Sequence, residues 1–326
     1  MKPFNILLIE AVVPERSRTS IELAHPVGPM YLASCLREDN RNRYIEIFDT
    51  KLSADVAGDL RKYMRKVKPD LVGIKAYSRD ADLLGLLGRL IKKINEKCII
   101  VVGGPYANAK GKELLENHFI DFSVLHEGEL TFVELVQRLE KKEERDDIKG
   151  IIYREKGHII KTPPRDFIED LDKIPFPAYD MTDDPGYNQR YYEYLDKDKK
   201  YPDAVQVRPK AMTIFTSRGC PYNCIYCHNI FGKHFRARSA EHVWEEMKLL
   251  YNDYGVKQFF IWDDIFNINK ERASKICDLI IESGYDIKLA FPNGLRGDLM
   301  DRELIFKLKE AGTFFITYAI ETGSQR

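Results

Sequence analysis

The run Arg218-Gly-Cys-Pro-Tyr-Asn-Cys-Ile-Tyr-Cys-His228 carries three thiols, Cys220, Cys224 and Cys227, at C-x3-C-x2-C spacing directly after an apolar, β-like segment at 212–216. Thiolate sulfur is a soft ligand that suits iron. Three thiolates from one short loop can hold three irons of a [4Fe–4S] cluster and leave the fourth iron open to another ligand. Other readings of the same residues compete. A zinc site could combine the three cysteines with His228 or His234, although structural zinc sites usually come as two separated ligand pairs. Cys224-Ile-Tyr-Cys-His228 also spells C-x-x-C-H, the haem-attachment pattern. A disulfide framework fits poorly, because six cysteines in 326 residues are few and Cys35, Cys98 and Cys277 lie in apolar runs, where a thiol acts as a small core residue.

From the loop toward the C-terminus, β and α patterns alternate, with strands at 212–216, 258–262, 288–292 and 314–320 and helices at 240–254, 270–283 and 301–311. Four such steps predict a partial (β/α) barrel of TIM type with its chemistry at the strand ends. The sequence stops one turn past a strand, which reads as a truncated barrel with an unpaired edge. Toward the N-terminus, short apolar runs at 5–9, 44–48, 71–75, 99–102 and 122–125 alternate with helical periodicity at 29–38, 54–66, 81–95, 111–117 and 130–142. That pattern predicts an α/β, doubly wound, Rossmann-like domain whose ligand sits at the carboxyl ends of the strands. A charged run at 141–147 precedes two short strands at 150–153 and 158–161, read as a lid or an edge addition. Residues 162–210 are rich in Pro, Asp and Tyr and read as a linker that wraps, with the charges at 196–200 on a solvated face. The expected organisation is a Rossmann-like domain over 1–147, hairpin and linker over 148–210, and the barrel part over 211–326.

Composition bounds the function. With 44% apolar and 31% charged residues the chain is an ordinary globular protein, long enough for two domains. Fifty-one basic and fifty-one acidic residues cancel, so no global field favours nucleic acid or an anionic membrane. The N-terminal apolar stretch runs straight into a strand pattern, and no apolar run approaches the length of a membrane span. A reducing cytoplasm is the expected location, and no partnership with membrane or nucleic acid is expected.

The cysteine run, with the aromatic Tyr226 before its last cysteine, resembles the signature of the radical S-adenosylmethionine superfamily. The resemblance implies that Cys220, Cys224 and Cys227 hold a [4Fe–4S] cluster whose open iron chelates S-adenosylmethionine, and that reductive cleavage yields a 5′-deoxyadenosyl radical. It also implies cofactor contacts at successive strand ends. Ile261-Trp-Asp-Asp-Ile-Phe266 falls where the family commonly places a segment that binds the cofactor's ammonium, a role for Asp263 or Asp264. Asn293 and Arg296 after the third strand could reach the cofactor's carboxylate or the substrate, and Glu321 matches a residue that accepts from ribose hydroxyls. Each of these taken alone is also a plain helix cap or loop residue.

The N-terminal half lacks G-x-G-x-x-G after its first strand, where Glu10-Ala-Val-Val-Pro14 stands, so a dinucleotide site is not expected. Val101-Val-Gly-Gly-Pro-Tyr106, with Asp70-Leu-Val-Gly-Ile74 and His126-Glu-Gly-Glu-Leu130, resembles the cobalamin-binding domain that precedes many radical modules. Expected contacts are Tyr77 and Ser78; Gly103, Gly104, Pro105 and Tyr106; and His126, Glu127 and Gly128. No Asp-x-His-x-x-Gly loop is present, so the resemblance implies cobalamin bound base-off without a histidine ligand. His126 has an alternative reading as a capped or core histidine, and some relatives keep such a domain without the cofactor.

The leading expectation is a cobalamin-dependent radical enzyme that methylates an unactivated centre of a small-molecule or peptide substrate. Electrons would come from an external donor of flavodoxin or ferredoxin type. The alternatives are rearrangement or cyclisation without methylation, methylthiolation of tRNA, and a non-enzymatic zinc- or cobalamin-binding sensor.

Overall fold

A computed structural model describes residues 3–13, 25–183, 210–225, 227 and 230–318. The chain divides into two compact units, one formed by Met1–Glu22, Pro26–Ile168 and Ile174–Tyr187, the other by Leu23–His25, Glu169–Lys173 and Asn188–Arg326.

In the first unit, strands β1 (Asn5–Ala11), β2 (Tyr44–Asp49), β3 (Leu71–Ala76), β4 (Ile99–Gly103) and β5 (Phe122–Val124) are parallel and lie in the order β2-β1-β3-β4-β5. Helices α1 (Val27–Asp39), α2 (Val56–Val67), α3 (Ala81–Ile94), α4 (Pro105–Leu114) and α5 (Gly128–Lys141) connect and cover them. Both faces of the central strands are buried, which is why they read as unbroken apolar runs. Leu7, Ile9, Val72 and Ile74 enter one core, with Leu60 of α2 and Leu87 of α3. Ile6, Leu8 and Val101 enter the other, with Leu36 of α1 and Phe132 of α5. The hairpin β6 (Ile151–Glu155) and β7 (His158–Lys161) is an edge addition, because β6 pairs antiparallel with β5.

Helix α4 begins six residues before the 111–117 expected for it. Gly104 is its N-cap and Pro105 its first residue, a position where proline's missing N–H costs nothing. Pro105 and Tyr106, expected in a loop, therefore form a helix start.

Residues 162–183 have no strand or α-helix, and side chains hold parts of this segment in place; 184–209 of the expected linker lie outside the described residues. Within the first unit, the Ser34 hydroxyl donates to the Phe176 carbonyl at 2.5 Å and Arg37 pairs with Asp180 at 2.9 Å. The charged run at 196–200 lies outside the described residues.

In the second unit, β8 (Ala211–Ile214), β11 (Gln258–Ile261), β12 (Lys288–Phe291) and β13 (Thr313–Ile316) form a parallel sheet in that order. Helices α6 (Ala240–Tyr254), α7 (Lys270–Ser283) and α8 (Arg302–Glu310) link them, so the predicted β/α alternation is present. Each helix opens on a side-chain cap: Ser239, Asn269 and Asp301 accept from the backbone N–H of His242, Arg272 and Leu304. A small antiparallel pair, β9 (Ser217–Arg218) and β10 (Arg236–Ala237), closes the base of the cysteine loop. No described helix is long and apolar enough to cross a membrane.

Candidate functional site

The cysteine loop leaves the end of β8 and is pinned at both ends by the β9–β10 pair. Gly219 sits at φ +82°, and a Cβ there would lie 2.3 Å from the His234 carbonyl oxygen, so only glycine fits. The Cys220 N–H donates to Gly232 O at 3.3 Å, and the Cys227 N–H to Cys224 O at 3.1 Å, which turns the chain between the thiols. Cys220 is half-buried, while Cys224 and Cys227 are exposed. Burial, the Asp264 carboxylate and the other two thiols push the Cys227 thiol up, in that order of effect. Among the described residues no three His, Cys, Asp or Glu side chains converge on a single ion. A [4Fe–4S] cube takes one iron per thiolate, so its sulfurs ring the cluster rather than meet at one point, and the donor set fits that group. His234, a candidate zinc ligand, faces Glu169 instead, at 3.6 Å. Tyr226 and His228 lie outside the described residues.

At the end of β11 the two carboxylates part. Asp263 is 2% exposed and turned into the sheet. Its Oδ1 accepts from the Thr216 backbone at 2.6 Å, and its Oδ2 from the Thr216 and Ser217 hydroxyls at 2.5 and 2.6 Å. Asp264 is half-buried, accepts from the Gly219 N–H at 3.1 Å and acts on the Cys227 thiol. One carboxylate thus fastens the start of the loop, and the other holds Gly219 and acts on Cys227.

Asn293 is exposed at the end of β12 and donates to the carbonyls of Trp262 and Asp263 at 3.1 and 3.2 Å. Arg296 pairs with Asp298 at 2.7 Å, and its guanidinium stacks 3.7 Å from the centre of the Tyr222 ring, inside the cysteine loop. Glu321 lies outside the described residues.

Several residues of this site were not anticipated from sequence. Buried Asn267 clamps the Arg296 backbone in both directions, at 2.9 and 3.1 Å. Arg272 donates to the carbonyls of Arg238 and Thr216 at 2.6 and 2.7 Å, and burial pulls its guanidinium down to about 10. Buried Arg238 pairs with buried Glu246 and donates to Phe215 O at 3.0 Å. A signal for this pair existed: Glu246 interrupts the apolar stripe Val243, Met247, Leu250 on α6.

In the first unit, the expected residues gather at the carboxyl ends of β3, β4 and β5. Two cations approach the Tyr77 ring, Lys75 Nζ at 4.9 Å and the Arg79 guanidinium at 5.1 Å from its centre, and Ser78 next in the chain is exposed. Gly104 is at φ +84°, where a Cβ would come within 2.8 Å of the Lys75 stem; a Cβ on Gly103 would meet only Val124 O, at 3.9 Å. Gly104 thus makes room for Lys75, while the backbone of Gly103 is left bare enough for close approach of a bulky flat ligand. Pro105 starts α4, and Tyr106 packs against the core under it. His126 holds φ +57°, its N–H donates to Asn108 Oδ1 at 2.7 Å, and its ring meets Phe167 edge-on. Glu127 is buried and accepts from the Ile168 N–H at 2.8 Å, and Gly128 opens α5.

Glu10, absent from the sequence-based set, lies at the end of β1. Lys75 donates to its Oε1 at 2.6 Å and to the Tyr77 hydroxyl at 3.1 Å. Its buried Oε2 has no hydrogen-bond partner among the described residues. The bare Gly103 backbone and an unsatisfied acceptor at the same sheet end suit a large flat cofactor carrying peripheral donors.

Fold and site together define a doubly wound α/β unit joined to a β/α unit that bears a cysteine loop. The B12 binding domain model matches residues 19–136, and the radical SAM superfamily model matches residues 214–326. The chain thus carries a B12 binding domain followed by a radical SAM domain. It is 34% identical over 304 residues to the uncharacterized methyltransferase PH0819 of Pyrococcus horikoshii, covering 92% of this chain and 61% of that protein. It is 29% identical to the cytidylyl-2-hydroxyethylphosphonate methyltransferase of Streptomyces wedmorensis, covering 82% and 53%, and 26% identical to an anaerobic magnesium-protoporphyrin IX monomethyl ester cyclase of Cereibacter sphaeroides, covering 92% and 47%. The chain thus spans about half to three-fifths of these relatives' lengths. Among solved structures, the cobalamin-dependent radical enzyme OxsB shares the fold at TM-score 0.74 and 19% identity, covering 99% of this chain and 44% of that one. The radical methyltransferase TsrM of Kitasatospora setae follows at TM-score 0.72 and 19% identity, covering 94% and 57%.

Proposed function

We propose that this chain supplies the cofactor-binding machinery of a cobalamin-dependent radical S-adenosylmethionine methyltransferase. The observation that carries the reading is the fastening of the cysteine loop: Asp263 locks Thr216 and Ser217 at its start, and Asp264 stands beside Gly219 and Cys227. When bound, a [4Fe–4S] cluster and cobalamin supply electron and methyl transfer that no side chain can perform.

The protein's share is binding, orientation and charge. Cys220, Cys224 and Cys227 are the cluster ligands in this reading. Asp264, unlike Asp263, remains beside Cys227 and is assigned to receive the ammonium of S-adenosylmethionine. Arg296, held by Asn267 and stacked on Tyr222, and Asn293 border the same loop and are assigned to the cofactor's carboxylate or the substrate. Tyr226 and Glu321 are assigned to S-adenosylmethionine, as the family resemblance implies. In the first unit, Tyr77, Ser78, the turn from Gly103 to Tyr106 and the segment from His126 to Gly128 line the cobalamin site. His126 is turned against Phe167, and cobalamin is proposed to bind base-off without a histidine ligand. The working partners are a small-molecule or peptide substrate and a cytoplasmic flavodoxin- or ferredoxin-type reductant.

A second reading, cyclisation without methylation, draws support from the cyclase relatives. Methylthiolation is disfavoured, because fully buried Cys98, its thiol pushed up to about 12 by burial, is unsuited to ligate a further cluster. The test uses S-adenosylmethionine labelled in its methyl group, with the chain loaded anaerobically and supplied with candidate acceptors. Label recovered in an acceptor supports methyl transfer. 5′-Deoxyadenosine formed with the acceptor altered but unlabelled supports cyclisation.

A further inference from the structure

The sheet order β2-β1-β3-β4-β5 reverses direction between β1 and β3, and in such sheets the ligand crevice opens at that switch point, beyond the carboxyl ends of the strands. Glu10 and Lys75 are register partners across this switch point. Both follow the alternation that places Leu8 and Gly73 on the α1/α5 face, so the pair caps that core at the crevice end. The Lys75 stem is covered by Gly28 of α1 and Gly104 of the β4–α4 turn, where Cβ atoms would come within 3.2 and 2.8 Å of it. Burial would pull the Lys75 ammonium down, but the Glu10 carboxylate and Tyr77 outweigh it and hold it above the usual lysine range. Lys75 therefore donates to Glu10 Oε1 and Tyr77 OH, and Oε2 is left as an acceptor.

The Glu10 side chain is only 4% exposed. A buried acceptor on a charged group that lacks a partner is costly and calls for one. A carboxylate oxygen accepts only, so the partner must bring an N–H or O–H donor, which excludes phosphate.

We propose that Glu10 Oε2 is a recognition point for the cobalamin of the proposed function, accepting a hydrogen bond from a peripheral carboxamide N–H of the corrin or from the ribose hydroxyl of its nucleotide tail. The inference rests on that reading. It makes Glu10 a binding residue and Lys75 the residue that orients it, with Tyr77 as Lys75's second acceptor.

The test measures affinity, not turnover. The full chain, as wild type, Glu10→Met and Glu10→Gln, is titrated by absorbance with three probes: hydroxocobalamin, cobinamide, which keeps the carboxamides but lacks the nucleotide, and cobyrinic acid heptamethyl ester, which lacks amide donors. A charge-assisted hydrogen bond predicts that wild type prefers cobinamide over the ester by roughly 10- to 100-fold and that Glu10→Met loses the preference. If the ribose is the donor, Glu10→Met weakens hydroxocobalamin alone. Undiminished affinity of Glu10→Met for hydroxocobalamin and cobinamide overturns the proposal and leaves the cobalamin reading intact. Should wild type bind none of the three probes, both readings fall. If Glu10→Met does not fold, wild-type preference is decisive: equal affinity for all three probes overturns the proposal, and weaker binding of the ester or of cobinamide supports it.

Discussion

Thr216 meets Asp263 twice, its backbone N–H on Oδ1 at 2.6 Å and its hydroxyl on Oδ2 at 2.5 Å. Its carbonyl is also held, accepting from the Arg238 N–H at 3.0 Å and from Arg272 at 2.7 Å. Every polar atom of the residue that launches the cysteine loop is thereby fixed. Asp263→Asn points an amide donor at donors, so it should cost on the order of 3 kcal/mol in urea unfolding and lower iron incorporation. Asp264→Asn should leave the urea midpoint near wild type and weaken S-adenosylmethionine binding instead, measured by calorimetry on the reconstituted protein. Equal effects of the two variants would contradict this division.

Gly219→Ala places a methyl group against the His234 carbonyl at positive φ. The strain and clash should cost at least about 2 kcal/mol locally, and the variant should take up markedly less iron than wild type on reconstitution. Normal iron content in Gly219→Ala would show that the loop is not held as described.

Arg238 and Glu246 form a buried pair on which Phe215 and α6 both depend. Glu246→Ala leaves the guanidinium uncompensated and should destabilise the protein by about 3–5 kcal/mol in chemical denaturation. A loss below about 1 kcal/mol would mean that the cation finds another partner.

Burial pushes the thiols of Cys98 and Cys277 up to about 12, from a normal value of 9.0. A folded-state value above the unfolded one makes a stabilising contribution that is intact below about pH 9 and lost as pH rises toward 12. Stability should therefore fall over that alkaline window, and less steeply in a Cys98→Ala/Cys277→Ala variant. Mass spectrometry of iodoacetamide adducts at mild pH should find exposed Cys224 and Cys227 modified before either buried thiol.

Much of this architecture is legible in the sequence because buried strands and amphipathic helices leave distinct periodicities. β1, β3 and β4 announce themselves as apolar runs, and α6 and α7 start and end where the pattern of apolar residues predicts. Helix α4 hides its beginning, because Gly103-Gly104-Pro105 reads as a loop although proline is at home in a first helical turn. The choice between Asp263 and Asp264 is not legible. It depends on the pairing of β11 with β8, Ile261 against Ile214, which brings Thr216 level with Asp263 and the Ser217 hydroxyl within reach of it. Glu10 shows as a charge in an apolar strand, but its significance emerges only when β1 and β3 pair and bring Lys75 beside it.

The most direct test of the central claim is anaerobic reconstitution of wild type and of a Cys220→Ala/Cys224→Ala/Cys227→Ala variant with iron and sulfide. Metals are then quantified, and 5′-deoxyadenosine is measured after addition of S-adenosylmethionine and a reductant. The account predicts about four irons per chain and 5′-deoxyadenosine in wild type, with both lost in the variant. One zinc per chain, with no iron cluster and no 5′-deoxyadenosine, would contradict it.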